Sequence, residues 1–67
     1  MTPLILYPNA VSSLNKFMVC RVSDGAIVQG EHTETHADHA VKVLDDHNMR
    51  NGHAERYTVK TRAECRL

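Results

Sequence analysis

Ser23-Asp24-Gly25 stands between two runs of strand-forming residues, Phe17 to Val22 and Ala26 to Gln29. An Asp-Gly pair supplies the positive φ angles that a two-residue hairpin turn requires, so the runs are expected to pair as an antiparallel hairpin. With Asp24 and Gly25 as the turn, Val22 faces Ile27 and Arg21 faces Val28. Met18, Cys20, Val22 and Ile27 then share one face, and Phe17, Val19, Arg21 and Val28 share the other. Both faces carry apolar side chains, so both need cover.

A helix is expected next. Thr33 or Thr35 can cap its first amides, and Glu34 or Asp38 sits near the positive end of its dipole. Ala37, Ala40, Val41 and Leu44 recur at helical spacing and form one apolar face, with Asp38, Lys42, Asp45 and Asp46 pointing away. Asn48 to Gly52 reads as the exit, with Gly52 in a left-handed terminating position. From Glu55 to Lys60 the chain alternates again as a third strand. Tyr57 and Val59 point to one side, and Arg56, Thr58, Lys60 and Arg62 to the other. A helix that crosses the sheet and returns this strand beside the first gives an α+β fold. Its antiparallel sheet has β-β-α-β connectivity and order 2-1-3, with the helix on one face.

The organisation is an uncharged N-terminal arm and loop over residues 1–15, the domain over 16–62, and a tail over 63–67. Leu4 to Tyr7, bracketed by Pro3 and Pro8, is extended at its ends and reads as an arm or edge strand. Asn9 to Asn15 reads as a connecting loop, with a helical turn at Ala10 to Leu14 as the alternative. One helix covers one sheet face, so the other is expected to be shielded by the arm, by a second copy of the chain, or by a partner. That open face, or Leu4 to Tyr7, is the expected apolar anchor for a partner.

The chain has 67 residues, and a domain of this size buries only about 60% of the surface its unfolded chain exposes. With one Phe, two Tyr and no Trp, the core rests on aliphatic side chains, Met and Ala. The formal charge is zero, which argues against strong attraction to nucleic acid or anionic lipid. Charge is nonetheless segregated. Glu31, Glu34, Asp38, Asp45 and Asp46 face only Lys42 in the middle of the chain, whereas Arg50, Arg56, Lys60, Arg62 and Arg66 outweigh Glu55 and Glu64 at the end. The N-terminal apolar run is far shorter than the roughly 20 residues a membrane span needs and has no basic leader, so a cytoplasmic protein with no membrane partner is expected. Cys20 and Cys65 form no Cys-x-x-Cys pair, which favours reduced thiols. A disulfide between them stays an open alternative.

Three chemistries can be weighed. His32, His36, His39, His47 and His53 lie on or beside the helix, and His36, His39, Val43 and His47 form a stripe along the flank of its apolar face. The spacings of His32, His36 and His39 allow two imidazoles to share a metal with Glu34 or Asp38, but no His-Glu-x-x-His pattern or paired cysteine accompanies them. The plain reading is a half-exposed stripe that gains positive charge on mild acidification, and no metal or other cofactor is expected. Ser12, Ser13 and Ser23 lie in loops without a nucleophile elbow or phosphate loop, so no enzyme is expected. Arg56, Lys60 and Arg62, with Arg66 as a further candidate, could track phosphates from the last strand. The exposed aromatic platform of single-strand binders is missing, which makes nucleic acid the secondary reading.

From Lys16 to Arg62 the order of elements resembles that of small phage-encoded accessory proteins. Shared features are a Phe-started strand, a turn, a second strand, a Thr-capped helix with an Ala-rich face, and a final Tyr-Thr-Val strand. The inhibitor of bacterial RNA polymerase from T7-like viruses has a similar order. The resemblance implies a non-enzymatic module that binds a bacterial host or defence protein stoichiometrically, and a second copy of the chain is a further candidate partner. The expected contacts are Arg56, Lys60 and Arg62, with Glu34, Asp38, Asp45 and Asp46 as the opposite-sign alternative. Such charges steer and orient, while an apolar anchor supplies most of the affinity.

Overall fold

The computed structural model describes residues 4–67. Residues 1–3 of the expected arm, Pro3 among them, lie outside the described residues. Strands β1 (Phe17–Arg21), β2 (Ile27–Glu31) and β3 (Tyr57–Thr61) form one antiparallel sheet in the order β2-β1-β3, with helix α1 (Glu34–Arg50) between β2 and β3 in sequence. The α+β class, the strand order and the single helix are those expected. No helix among the described residues is long and apolar enough to cross a membrane.

The ends of α1 follow its sequence closely. Thr33 is the N-cap, and its Oγ1 accepts the His36 amide at 3.2 Å. At the other end Gly52 takes φ +73°, and His53 N–H donates to the Asn48 carbonyl at 2.8 Å while Gly52 N–H donates to Met49 at 3.3 Å. This is a Schellman closure, which requires the left-handed residue that Gly52 provides.

The β1–β2 connection differs from the expected two-residue turn. Strand β1 ends at Arg21, whose N–H donates to the Ala26 carbonyl at 2.9 Å, and Val22 to Gly25 form a four-residue loop. Only Gly25 has a positive φ, +73°. Asp24 instead makes an Asx contact, its Oδ1 accepting the Ala26 amide at 3.0 Å, while its carboxylate takes a bidentate contact from Arg21 at 2.6 and 3.1 Å. These bonds satisfy the turn without a second left-handed residue. The register moves accordingly. Cys20 faces Ile27, Val19 faces Gln29, and Val28 is the extra residue of a bulge. Val22, expected to face Ile27 within the hairpin, leaves the sheet and is 62% exposed.

Each sheet face has its own cover. Met18, Cys20 and Ile27 pack with Ala10 and Cys65, against which Ile5 and Val11 also rest. The arm and the C-terminal residues thus close the face opposite the helix, so that face is not an open partner surface. Burying Met18 and Ile27 completely contributes about 1.5–3 kcal/mol each. On the other face Val19 and Ala37 are fully buried where the helix crosses.

Backbone and side-chain hydrogen bonds hold the arm. Ile5 bridges Ile27 in parallel, with Ile27 N–H donating to Leu4 at 2.8 Å and Leu6 N–H donating to Ile27 at 3.1 Å. A 3-10 turn, Pro8–Val11, follows, with Pro8 in the first turn where its missing N–H costs nothing. Asn15 Nδ2 donates to Ala10 O at 3.2 Å. Arg62 Nη1 reaches the carbonyls of Val11, Ser12 and Asn15 at 3.2, 3.1 and 3.0 Å. The turn lies so close to β2 that a Cβ on Gly30 would overlap the Ala10 carbonyl oxygen and sit 2.6 Å from Asn15 Nδ2.

Residues 61–67 are ordered by their own cap. Glu64 Oε1 accepts Thr61 N–H at 3.0 Å, and Thr61 Oγ1 accepts Glu64 N–H at 3.2 Å. This reciprocal Thr-x-x-Glu capping box starts a turn that delivers Cys65 to the core.

Candidate functional site

The helix does not sit centrally on the sheet; it leans towards β3. Two side chains tie it there. Asp45 Oδ1 accepts Tyr57 N–H at 3.0 Å, and Asn48 Nδ2 donates to Glu55 O at 3.1 Å. Asp45 was expected to point away; it is half-buried and anchors the helix to the third strand. The small residues Ala37 and Ala40 allow close approach to the sheet.

The lean opens a groove on the β2 side, about 510 Å³ in volume, lined by Gln29, Glu31, His36, His39, Ala40, Val43 and Leu44. Its strand wall is the pair Gln29 and Glu31, in which Gln29 Nε2 donates to Glu31 Oε1 at 2.6 Å. Its helix wall is the upper part of the histidine–valine stripe, and Val43 is 51% exposed there. A second depression continues past Leu44 and Gln29 to Leu6, Tyr7 and Val28. Leu6 and Tyr7 are 39% and 61% exposed, so apolar surface extends from the helix around the bulged edge of β2.

The charged positions singled out from sequence do not converge. Glu34, Asp38 and Asp46 are exposed on the helix, with Glu34, Asp38 and Asp45 on the flank turned towards β3 rather than the groove. Arg56, Lys60 and Arg62 are half-buried. Arg56 Nη1 donates to the carbonyls of His53 and Glu55 at 2.9 and 2.8 Å, and Arg62 braces the arm. Both guanidinium groups are therefore committed to backbone carbonyls of neighbouring loops. His32 lies apart from the groove, and its Nδ1–H donates to Leu14 O at 2.9 Å. Among the described residues, no three His, Cys, Asp or Glu side chains gather where they could share a metal ion.

A polar depression of about 490 Å³ lies at the other end of the sheet, around Arg21, Ser23, Asp24, Asn48, His53, Glu55 and Tyr57. Ser23 Oγ donates to Glu55 Oε1 at 2.8 Å, and Arg21 Nε stands 3.7 Å from the same oxygen. The Arg21 hydrogen bond holds the Asp24 carboxyl below its usual range, and the same contact raises the guanidinium. These bonds clip the β1–β2 loop to the approach of β3. Arg21 already has two carboxylate partners, which suits a structural clasp better than an anion site.

The outer edge of β3 is the obvious place for another strand to add, yet it is obstructed. Tyr57 N–H is taken by Asp45, Thr61 N–H by Glu64, and the Thr61 carbonyl by Cys65 N–H at 3.1 Å. Carboxylates at both ends of a short edge strand repel an incoming backbone carbonyl.

Sequence reasoning placed Val43 with the histidines but did not identify the groove. The available signal was an apolar residue on the flank of the helix, away from the arc of Ala37, Val41 and Leu44. Together these features define a small β-β-α-β domain with an apolar groove between α1 and β2. Comparison with protein-family models, curated proteins and solved structures finds no match to this chain.

Proposed function

We propose that this chain is a non-enzymatic protein-binding module that docks an apolar, basic-flanked segment of a target protein in the groove between α1 and β2. The carrying observation is the groove: apolar side chains Ala40, Val43 and Leu44 beside the carboxylate of Glu31. An apolar side chain buried there supplies affinity, and a Lys or Arg next to it meets Glu31 and fixes orientation. The commitment of Arg56 and Arg62 to backbone carbonyls favours a protein target over nucleic acid. The resemblance in element order to phage accessory proteins supports a bacterial host or defence protein as the target, bound one to one in the host cytoplasm.

The test is capture from bacterial lysate with tagged wild-type chain and with Val43→Glu, with and without nuclease, after circular dichroism has shown that the variant folds. A protein retained at one-to-one stoichiometry after nuclease, and lost with Val43→Glu, is the expected result. Recovery of nucleic acid alone, or capture indifferent to Val43→Glu, overturns the proposal.

A further inference from the structure

Cys20 and Cys65 lie 45 positions apart in sequence, and their sulfur atoms are 4.0 Å apart in the core. Both are free thiols, 0% and 6% exposed. Cys20 lies in β1, the central strand, and Cys65 is carried to it by the turn that the Thr61–Glu64 capping box starts. Two thiols already in contact need only a small side-chain adjustment to reach bonding distance, near 2 Å. Nothing in the docking groove depends on them.

We propose that Cys20 and Cys65 are a redox-active pair that closes to an intramolecular disulfide, clasping the C-terminal turn onto the arm-side core. The oxidant is a small-molecule disulfide, with oxidised glutathione as the probe. The Cys65 thiolate attacks one glutathione sulfur, forming a mixed disulfide and breaking the glutathione S–S bond, and one glutathione thiolate leaves. The Cys20 thiolate then attacks Cys65 Sγ, forming the protein disulfide and expelling the second glutathione thiolate. The cysteine pair loses two electrons, the glutathione disulfide gains them, and the two thiol protons pass through solvent to the leaving thiolates.

The fold sets the order and the rate. Burial first, and the neighbouring Cys65 second, push the Cys20 thiol up to about 12, so it attacks slowly from within the closed core. Cys65 sits on a short terminal turn, the kind of element that opens locally at low cost. Opening of that turn therefore gates the first step. Once formed, the bond closes a long loop, which in the chain-entropy limit raises the folded-to-unfolded ratio roughly 1000-fold.

The full chain is incubated with oxidised glutathione or with dithiothreitol, then digested without reduction and analysed by mass spectrometry. The expected result is a monomer lighter by two hydrogens, one linked peptide pair containing Cys20 and Cys65, and a melting temperature raised by more than about 10 °C. Cys65→Ser should abolish the rise, and Glu64→Ala should speed the oxidation by freeing the turn. The mapping on the wild-type chain needs no variant to fold. Two free thiols persisting under conditions that oxidise the denatured chain overturn the proposal. So does a stable glutathione adduct on Cys65, or linkage between two chains.

Discussion

Asp45 Oδ1 accepts the backbone N–H of Tyr57 at 3.0 Å, twelve positions further along the chain. Together with Asn48, this carboxylate holds the lean of the helix that opens the groove on the β2 side, and it also blocks one end of the exposed edge of β3. Asp45→Ala should lower stability by about 1 kcal/mol, a charge-assisted bond discounted for partial exposure. It should also raise self-association through the freed edge. Asp45→Asn keeps an acceptor and should behave close to wild type in urea melts and analytical ultracentrifugation; equal behaviour of both variants would remove Asp45 from this role.

Gly30 lies beneath the 3-10 turn with no room for a methyl group. Because the obstacle is the Ala10 backbone rather than a flexible side chain, Gly30→Ala should cost roughly 3 kcal/mol. Amide exchange should show residues 8–11 losing protection first. A loss under ~0.5 kcal/mol would mean that the turn can lift from β2 freely.

Arg62 joins β3's exit to three carbonyls of the arm. Arg62→Ala should release the arm, cost about 1–2 kcal/mol, and create a protease-sensitive site between residues 6 and 16. Arg62→Lys should recover only part, since an ammonium cannot reproduce the planar fork. Limited proteolysis with mass mapping distinguishes the three forms.

Asp24 and Glu64 have depressed carboxyl pKa values, the first mainly through the Arg21 hydrogen bond and the second through the Thr61 amide. A depressed carboxyl contributes stability that is fully present above its unfolded pKa and disappears as pH falls through the folded one. With ordinary values of 3.8 and 4.5, melting temperature should be insensitive to these groups near neutrality and fall as acid is added below that range. Glu64→Gln should flatten the acid limb; an unchanged pH profile would show that the capping box does not respond to ionisation.

Much of the scaffold is legible residue by residue. Thr33 caps, Gly52 terminates, and Ala37, Ala40, Val41 and Leu44 face inward because these outcomes depend on neighbours within about one or two helical turns. The Thr61-x-x-Glu64 box carried an equally local signal, though residues 63–67 read as a tail. The hairpin was half legible. Gly25 is left-handed as Asp-Gly implies, but Arg21 and Ala26 claim the Asp24 carboxylate and shift the register. The charged residues were least legible as site residues. Arg62 and Asp45 look like free surface charges in sequence, and their partners come from segments far along the chain.

By itself, the sequence determined the three strands and the helix, their order, the antiparallel 2-1-3 sheet and the need for two covers, since periodicity, caps and turn residues act locally. Tertiary structure decided which segments cover the second face, how far the helix leans, where the groove opens and that Cys20 meets Cys65. Those outcomes rest on contacts between residues tens of positions apart, where steric fit at Gly30 and hydrogen bonds from Asp45 and Arg62 choose among packings that the local pattern leaves equal.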